Sequence, residues 1–140
     1  MKEELLEKVQ KKAEQGYRYI RCQAGFYGGT EEGIRPENSP AGEYYDPKKY
    51  IRNTVEMLDY IRSHIKSDLE IIHDVHERLY PSDALAMAKQ IEEFRLYFLE
   101  DPVSPEQSEW LRQFRQQCGT PIALGELLPE KSRIWRLYSR

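Results

Sequence analysis

Three times along this chain a short apolar segment, long enough for one strand, runs into an acidic side chain, and the acids stand 26 residues apart: Asp74, Glu100 and Glu126. A period of that length accommodates one strand, one helix and their connections, so the feature confines the chain to βα units. Asp68 to Val75, with Leu69-Glu70-Ile71-Ile72, reads as a strand. Pro81-Ser82-Asp83 then opens a helix through Leu85, Ala88 and Ile91, and Arg95 to Leu99 is the apolar core of the next strand, ending at Glu100-Asp101-Pro102. Ser104-Pro105-Glu106-Gln107 has the spacing of a capping box and starts a helix carrying Trp110, Leu111 and Phe114, which stops near Gly119. Pro121 to Leu124 is the last strand, before Gly125-Glu126.

Upstream the pattern is the same with a longer connection. Leu5, Leu6, Val9 and Ala13 share a helical face from Glu3 to Gln15, and Gly16 supplies the stop. Tyr17 to Gln23 reads as a strand, and the glycine-rich exit from Ala24 to Gly29 leads into a loop reaching about Asp46. Loops of that length in compact domains are usually functional or disordered. Asp46-Pro47 gives an N-cap and a first-turn proline for a helix with Ile51, Val55, Leu58, Ile61 and Ile65 on one face.

Strands alternating with such helices predict an α/β fold with parallel strands and right-handed crossovers. A closed eight-stranded (β/α) barrel takes about 250 residues, and this chain has 140, so the expected architecture is a partial TIM-type barrel. An open doubly wound sheet fits the alternation too, but no strand-to-helix turn carries G-x-G-x-x-G or a P-loop.

In a parallel barrel the C-terminal strand ends converge on the active face. Equal spacing predicts equal depth for Asp74, Glu100 and Glu126, and three carboxylates facing one small volume call for a hard divalent cation held through oxygen. Mg²⁺ is the expected ion. Taken singly, each acid is equally well a helix cap or a solvated side chain. His76 lies two residues beyond Asp74, on the same side if the extended backbone persists, and an imidazole beside such a site is a candidate acid/base; a surface loop histidine is the alternative. His73 is expected to face the helices. Arg21 and Gln23 share a face of the first strand and are candidates for binding an anionic substrate, with a structural ion pair the alternative for Arg21.

At these residues the chain resembles the enolase superfamily, its mandelate racemase/muconate lactonizing enzyme-like branch, and within that the mannonate dehydratase and starvation-sensing protein group. The resemblance rests on Gly16 to Gln23, His73-Asp74-Val75-His76-Glu77-Arg78-Leu79, Phe98-Leu99-Glu100-Asp101-Pro102 and Pro121 to Glu126. It implies an enolase C-terminal domain-like barrel, a lyase that removes the proton next to the carboxylate of an acid sugar, and Mg²⁺ on Asp74, Glu100 and Glu126 stabilising the enediolate. It implies His76 and Arg21 as catalytic groups, the arginine paired with a loop tyrosine. The Phe26 to Tyr45 loop departs from the family pattern, so Tyr27, Tyr44 and Tyr45 stand as substitutes, with Tyr27 and Gln23 assigned to substrate binding. Arg21-Cys22-Gln23 lacks the Lys-x-Lys pair of the racemase and cycloisomerase chemistries. On this resemblance residues 1–128 form a partial catalytic barrel of about a third of a family member, without the N-terminal capping domain. Residues 129–140 form a divergent tail, read as a truncation or frame change. A noncatalytic metal-binding or interaction half-barrel, or an inactive remnant, is the competing expectation.

The remaining partners follow by exclusion. A net charge of −3 with interleaved signs offers no basic stripe for nucleic acid. No apolar run approaches a membrane span and no secretory signal opens the chain, which predicts a cytoplasmic protein. Cys22 and Cys118 lack metal or disulfide spacing and read as ordinary buried thiols. Full-length family members are expected to be homo-oligomers acting on a small-molecule acid sugar.

Overall fold

The structure, a computed structural model, describes residues 2–23, 46–65 and 68–126. Tyr27, Tyr44, Tyr45 and the expected tail at 129–140 lie outside the described residues.

Helix α1 (Lys2–Glu14) ends as its glycine predicts. Gly16 takes φ 92°, its N–H donates to the Ala13 carbonyl at 2.9 Å, and the Tyr17 N–H reaches back to the Lys12 carbonyl at 3.1 Å. That pair of bonds closes the last turn in a Schellman motif. Strand β1 (Tyr19–Arg21) follows. Helix α2 (Pro47–His64) starts where Asp46-Pro47 places it, with the Asp46 carboxylate accepting the Lys49 N–H at 2.9 Å. Strand β2 (Glu70–Asp74) leads to α3 (Pro81–Gln90). A 3₁₀ turn (Glu92–Phe94) and a left-handed Arg95, φ 49°, then redirect the chain. Strand β3 is therefore Phe98–Glu100, three residues later than the apolar run suggests.

The capping box at Ser104 does not form. The Gln107 N–H is taken by the Ser104 carbonyl at 2.9 Å, an i→i+3 bond, and Gln107 itself has non-helical angles (φ −109°, ψ 22°). This segment begins as a 3₁₀ helix (Pro105–Trp110) and continues as α4 (Leu111–Gln117) before β4 (Ile122–Ala123).

The four strands form one parallel sheet in chain order, β1-β2-β3-β4. Neighbouring parallel strands joined by right-handed crossovers put every helix on the same face, the single winding of a barrel rather than the reversal of a doubly wound sheet. On the covered face Ile71, His73 and Leu99 are fully buried among Leu58 and Ile61 of α2, Met87 and Ala88 of α3, and Phe114 of α4. Each large apolar side chain so buried contributes roughly 1.5–3 kcal/mol. The other face presents Arg21, Ile72, Asp74, Phe98 and Glu100, and of these only Asp74 is buried. Alternation thus separates a stabilising face from a chemical one.

Of the two thiols, Cys22 is wholly buried and burial pushes it up to about 12; Cys118 is half-buried, and both are free. Among the described residues no helix is long and apolar enough to cross a membrane.

Candidate metal centre

The register places the first two acids side by side. Asp74 pairs with Glu100 as the terminal residues of β2 and β3, so their side chains leave the same face at the same height. The third does not share that level. Glu100 pairs with Ala123, and Glu126 lies three residues further on, in the turn after β4. Equal sequence spacing therefore fails to give equal depth, because the connection from β3 to β4 is three residues shorter in register than that from β2 to β3.

Glu126 reaches the other two acids from this turn. One ligand atom each from Asp74, His76 and Glu126 lie within 4.8 Å of one another, as do one each from Glu100, Asp101 and Glu126. Glu126 joins the two groups. Between Asp74 and Glu100 stands Arg21, whose Nη1 donates to Asp74 Oδ2 at 3.2 Å and whose Nη2 donates to Glu100 Oε2 at 2.6 Å. Arg21 is in register with Ile72, one pleat below Asp74, and its long side chain spans the difference. The ion pair offered as its alternative role is present, with the arginine side chain still 44% exposed.

His76 arrives by a different route from the one expected. It and Glu77 have φ of 52° and 60°, so extended geometry ends at Val75 and the imidazole is carried by a left-handed turn. Its Nδ1 nevertheless lies 3.7 Å from Asp74 Oδ2. The Gln23 amide donates to the Asp74 carbonyl at 3.2 Å, prolonging the β1–β2 pairing, with its own carbonyl oxygen left to accept. His73 faces the helices, its Nδ1 donating to the Cys22 carbonyl at 2.8 Å and its Nε2 accepting from Tyr50 Oη at 2.8 Å. Burial holds this imidazole below its ordinary value, against the opposing pull of the Cys22 carbonyl and Asp74.

The electrostatics suit a cation. Burial pushes Glu100 above the usual carboxylate range; Arg21 opposes that, and Asp74, Asp101 and Glu126 add to it. Asp101 is raised by burial first, with the Gly125 N–H lowering it and Asp74, Glu126 and Glu77 raising it. Asp74 Oδ1 is buried without a hydrogen-bond partner among the described residues, and a buried carboxylate oxygen left unmatched carries a cost that a cation removes. Oxygen donors from three strand ends, one of them unmatched, fit a hard divalent ion such as Mg²⁺. The sequence reading missed Asp101; its only sequence signal is an acid wedged between a strand-terminal glutamate and a proline.

Comparison with known proteins gives a family model described as Enolase C-terminal domain-like, matching residues 4–139. A D-galactonate dehydratase family member, RspA, of Pantoea ananatis is 42% identical over 142 residues, covering 89% of this chain and 34% of its own length. A D-galactonate dehydratase family member of Enterocloster bolteae is 41% identical over 130 residues, covering 89% of this chain and 32% of its own. The chain thus spans about a third of the length of the curated relatives it matches. Among solved structures, an enolase from Pantoea ananatis with bound D-gluconate and Mg superposes with a TM-score of 0.86 at 35% identity, over 99% of this chain and 38% of that one.

Proposed function

The chain belongs to the enolase C-terminal domain-like family, and from that premise we propose that it carries the cation-holding and proton-transferring strand ends of an acid-sugar dehydratase, a carbon–oxygen lyase acting on an aldonate of the mannonate or gluconate type. The observation that carries this reading is the convergence of Asp74, Glu100, Glu126 and His76 at the C-terminal ends of neighbouring parallel strands. The dehydratase relatives and the Mg- and D-gluconate-bound neighbour support it.

Asp74, Glu100 and Glu126 would hold Mg²⁺. When bound, that ion supplies the positive charge that makes a proton next to a carboxylate removable near neutral pH. His76 sits beside Asp74 and holds or moves a proton at its imidazole. Arg21, half-exposed, offers a planar pair of N–H groups matched to a substrate carboxylate. Gln23 presents its carbonyl oxygen to a substrate hydroxyl, and Tyr27 is assigned a substrate contact from the following loop. A second reading, a half-barrel that binds the cation without turnover, is equally served by the grouping of Asp74, His76 and Glu126 and of Glu100, Asp101 and Glu126 around one volume.

Turnover separates the two readings. The purified chain with Mg²⁺ is expected to remove water from at least one member of an acid-sugar library, leaving a 2-keto-3-deoxy acid, and chelation should stop it. His76→Asn is expected to keep Mg²⁺ binding and lose turnover. Mg²⁺ binding with no sugar acid dehydrated would establish the noncatalytic reading instead.

A further inference from the structure

The register of β1 with β2 ends where Arg21 stands opposite Ile72, yet the Gln23 side chain, beyond that end, still reaches the Asp74 carbonyl at 3.2 Å. Past the register the Cys22 N–H donates to the Ile72 carbonyl at 2.9 Å. The next peptide, from Cys22 to Gln23, is held by a side chain instead: His73 Nδ1 lies 2.8 Å from the Cys22 carbonyl oxygen. A peptide is planar, so fixing that oxygen fixes the direction in which Gln23 leaves the strand.

His73 is itself held from α2. Its Nε2 lies 2.8 Å from Tyr50 Oη, and the two rings are stacked, 27° apart with centroids at 6.0 Å. A carbonyl oxygen only accepts, so Nδ1 carries the hydrogen, and Nε2 of the neutral ring is left to accept the Tyr50 O–H. Tyr50 stands in the first turn of α2, whose start is set by Pro47 and the Asp46 cap. Cys22, Tyr50 and His73 are all buried, where an unmade hydrogen bond carries its full desolvation cost. Cys22 and Tyr50 flank the connection from β1 to α2, and one imidazole on β2 binds both.

We propose that His73 is a positioning residue: seated on Tyr50, it holds the Cys22-Gln23 peptide and thereby turns the Gln23 amide onto the Asp74 carbonyl, with the amide oxygen free for substrate. This rests on the reading of Gln23 as a substrate contact. A histidine serving packing alone would need no donor at the place of Nδ1. Asparagine carries an amide nitrogen as many bonds from Cβ as Nδ1, and glutamine one as many bonds from Cβ as Nε2, so the two substitutions divide the two hydrogen bonds between them.

The test is NMR of the imidazole and side-chain amide nitrogens, with Mg²⁺ and D-gluconate calorimetry, on the full chain and on His73→Asn and His73→Gln. The parent is expected to carry the His73 hydrogen at Nδ1 and to show Gln23 amide shifts displaced from those of a free side chain. A hydrogen at Nε2 alone overturns the proposal without any variant, and so do free-side-chain shifts at Gln23. With Mg²⁺ saturating, His73→Gln is expected to release the Gln23 amide and weaken D-gluconate about tenfold, on the scale of one lost hydrogen bond. His73→Asn should keep the Gln23 amide and stay within about threefold, and Mg²⁺ alone should bind all three chains within about threefold. His73→Asn faring no better than His73→Gln overturns the proposal. So does a Mg²⁺ loss in His73→Gln as large as its D-gluconate loss, which a role in the fold alone would produce. Should His73→Gln not fold cooperatively, His73→Met takes its place. If the parent binds no D-gluconate, the substrate reading of Gln23 fails by itself; a Gln23 amide kept in His73→Asn and released in His73→Gln still supports the positioning role, and any other pattern overturns it.

Discussion

Glu100→Gln should separate the fold from the cation. In the metal-free chain this isostere removes a charge-assisted bond from Arg21 at 2.6 Å. The partners are 44% and 17% exposed, so solvent screening discounts the pair to about 1 kcal/mol. Against that loss, the variant relieves the repulsion and burial that raise Glu100. The two effects oppose, and the metal-free stability should change by less than about 1 kcal/mol. The metal-dependent part behaves differently. Ligand at a hundredfold excess over its dissociation constant stabilises a folded site by about 2.7 kcal/mol. For a chain of 140 residues the unfolding entropy is about 0.3 kcal/mol/K, so the parent should gain roughly 9 °C in Tm. Glu100→Gln should keep its Tm in chelator and lose most of that gain at the same Mg²⁺ concentration, as followed by circular dichroism with and without the ion. A variant whose Mg²⁺-dependent shift equals that of the parent would refute the assignment of Glu100.

Other outcomes follow from the same geometry. Arg21→Met should bind Mg²⁺ more tightly in calorimetry, because the guanidinium and a cation compete for Asp74 Oδ2 and Glu100 Oε2; weaker binding would contradict that competition. Tyr50→Phe leaves the buried His73 Nε2 without its 2.8 Å donor and should cost about 1–3 kcal/mol in urea unfolding. His73 also gives stability a pH dependence. Its folded value is below the ordinary 6.5, so below pH 6.5 the unfolded chain takes up a proton that the folded chain refuses. Stability should therefore fall as pH drops through 6.5, by up to about 1.4 kcal/mol per pH unit, and urea midpoints for His73→Gln should lack that component.

The sequence by itself determined the alternation of strands and helices, the parallel α/β class, the Asp46 cap and the Gly16 stop, because each rests on local periodicity or on a residue with one conformational use. It also placed Asp74 and Glu100 together, since both end apolar strands and the intervening unit has the length of one crossover. Only the tertiary structure decided the rest of the centre. Register between β3 and β4 is set by hydrogen bonds across the sheet, and it puts Glu126 in a turn rather than level with its neighbours. His76, Glu77 and Asp101 take left-handed backbones that no residue of their type prefers. Such conformations are imposed by contacts between turns distant in sequence, here Glu77 to Asp101 and Asp101 to Ala123, and so leave no mark in the local pattern.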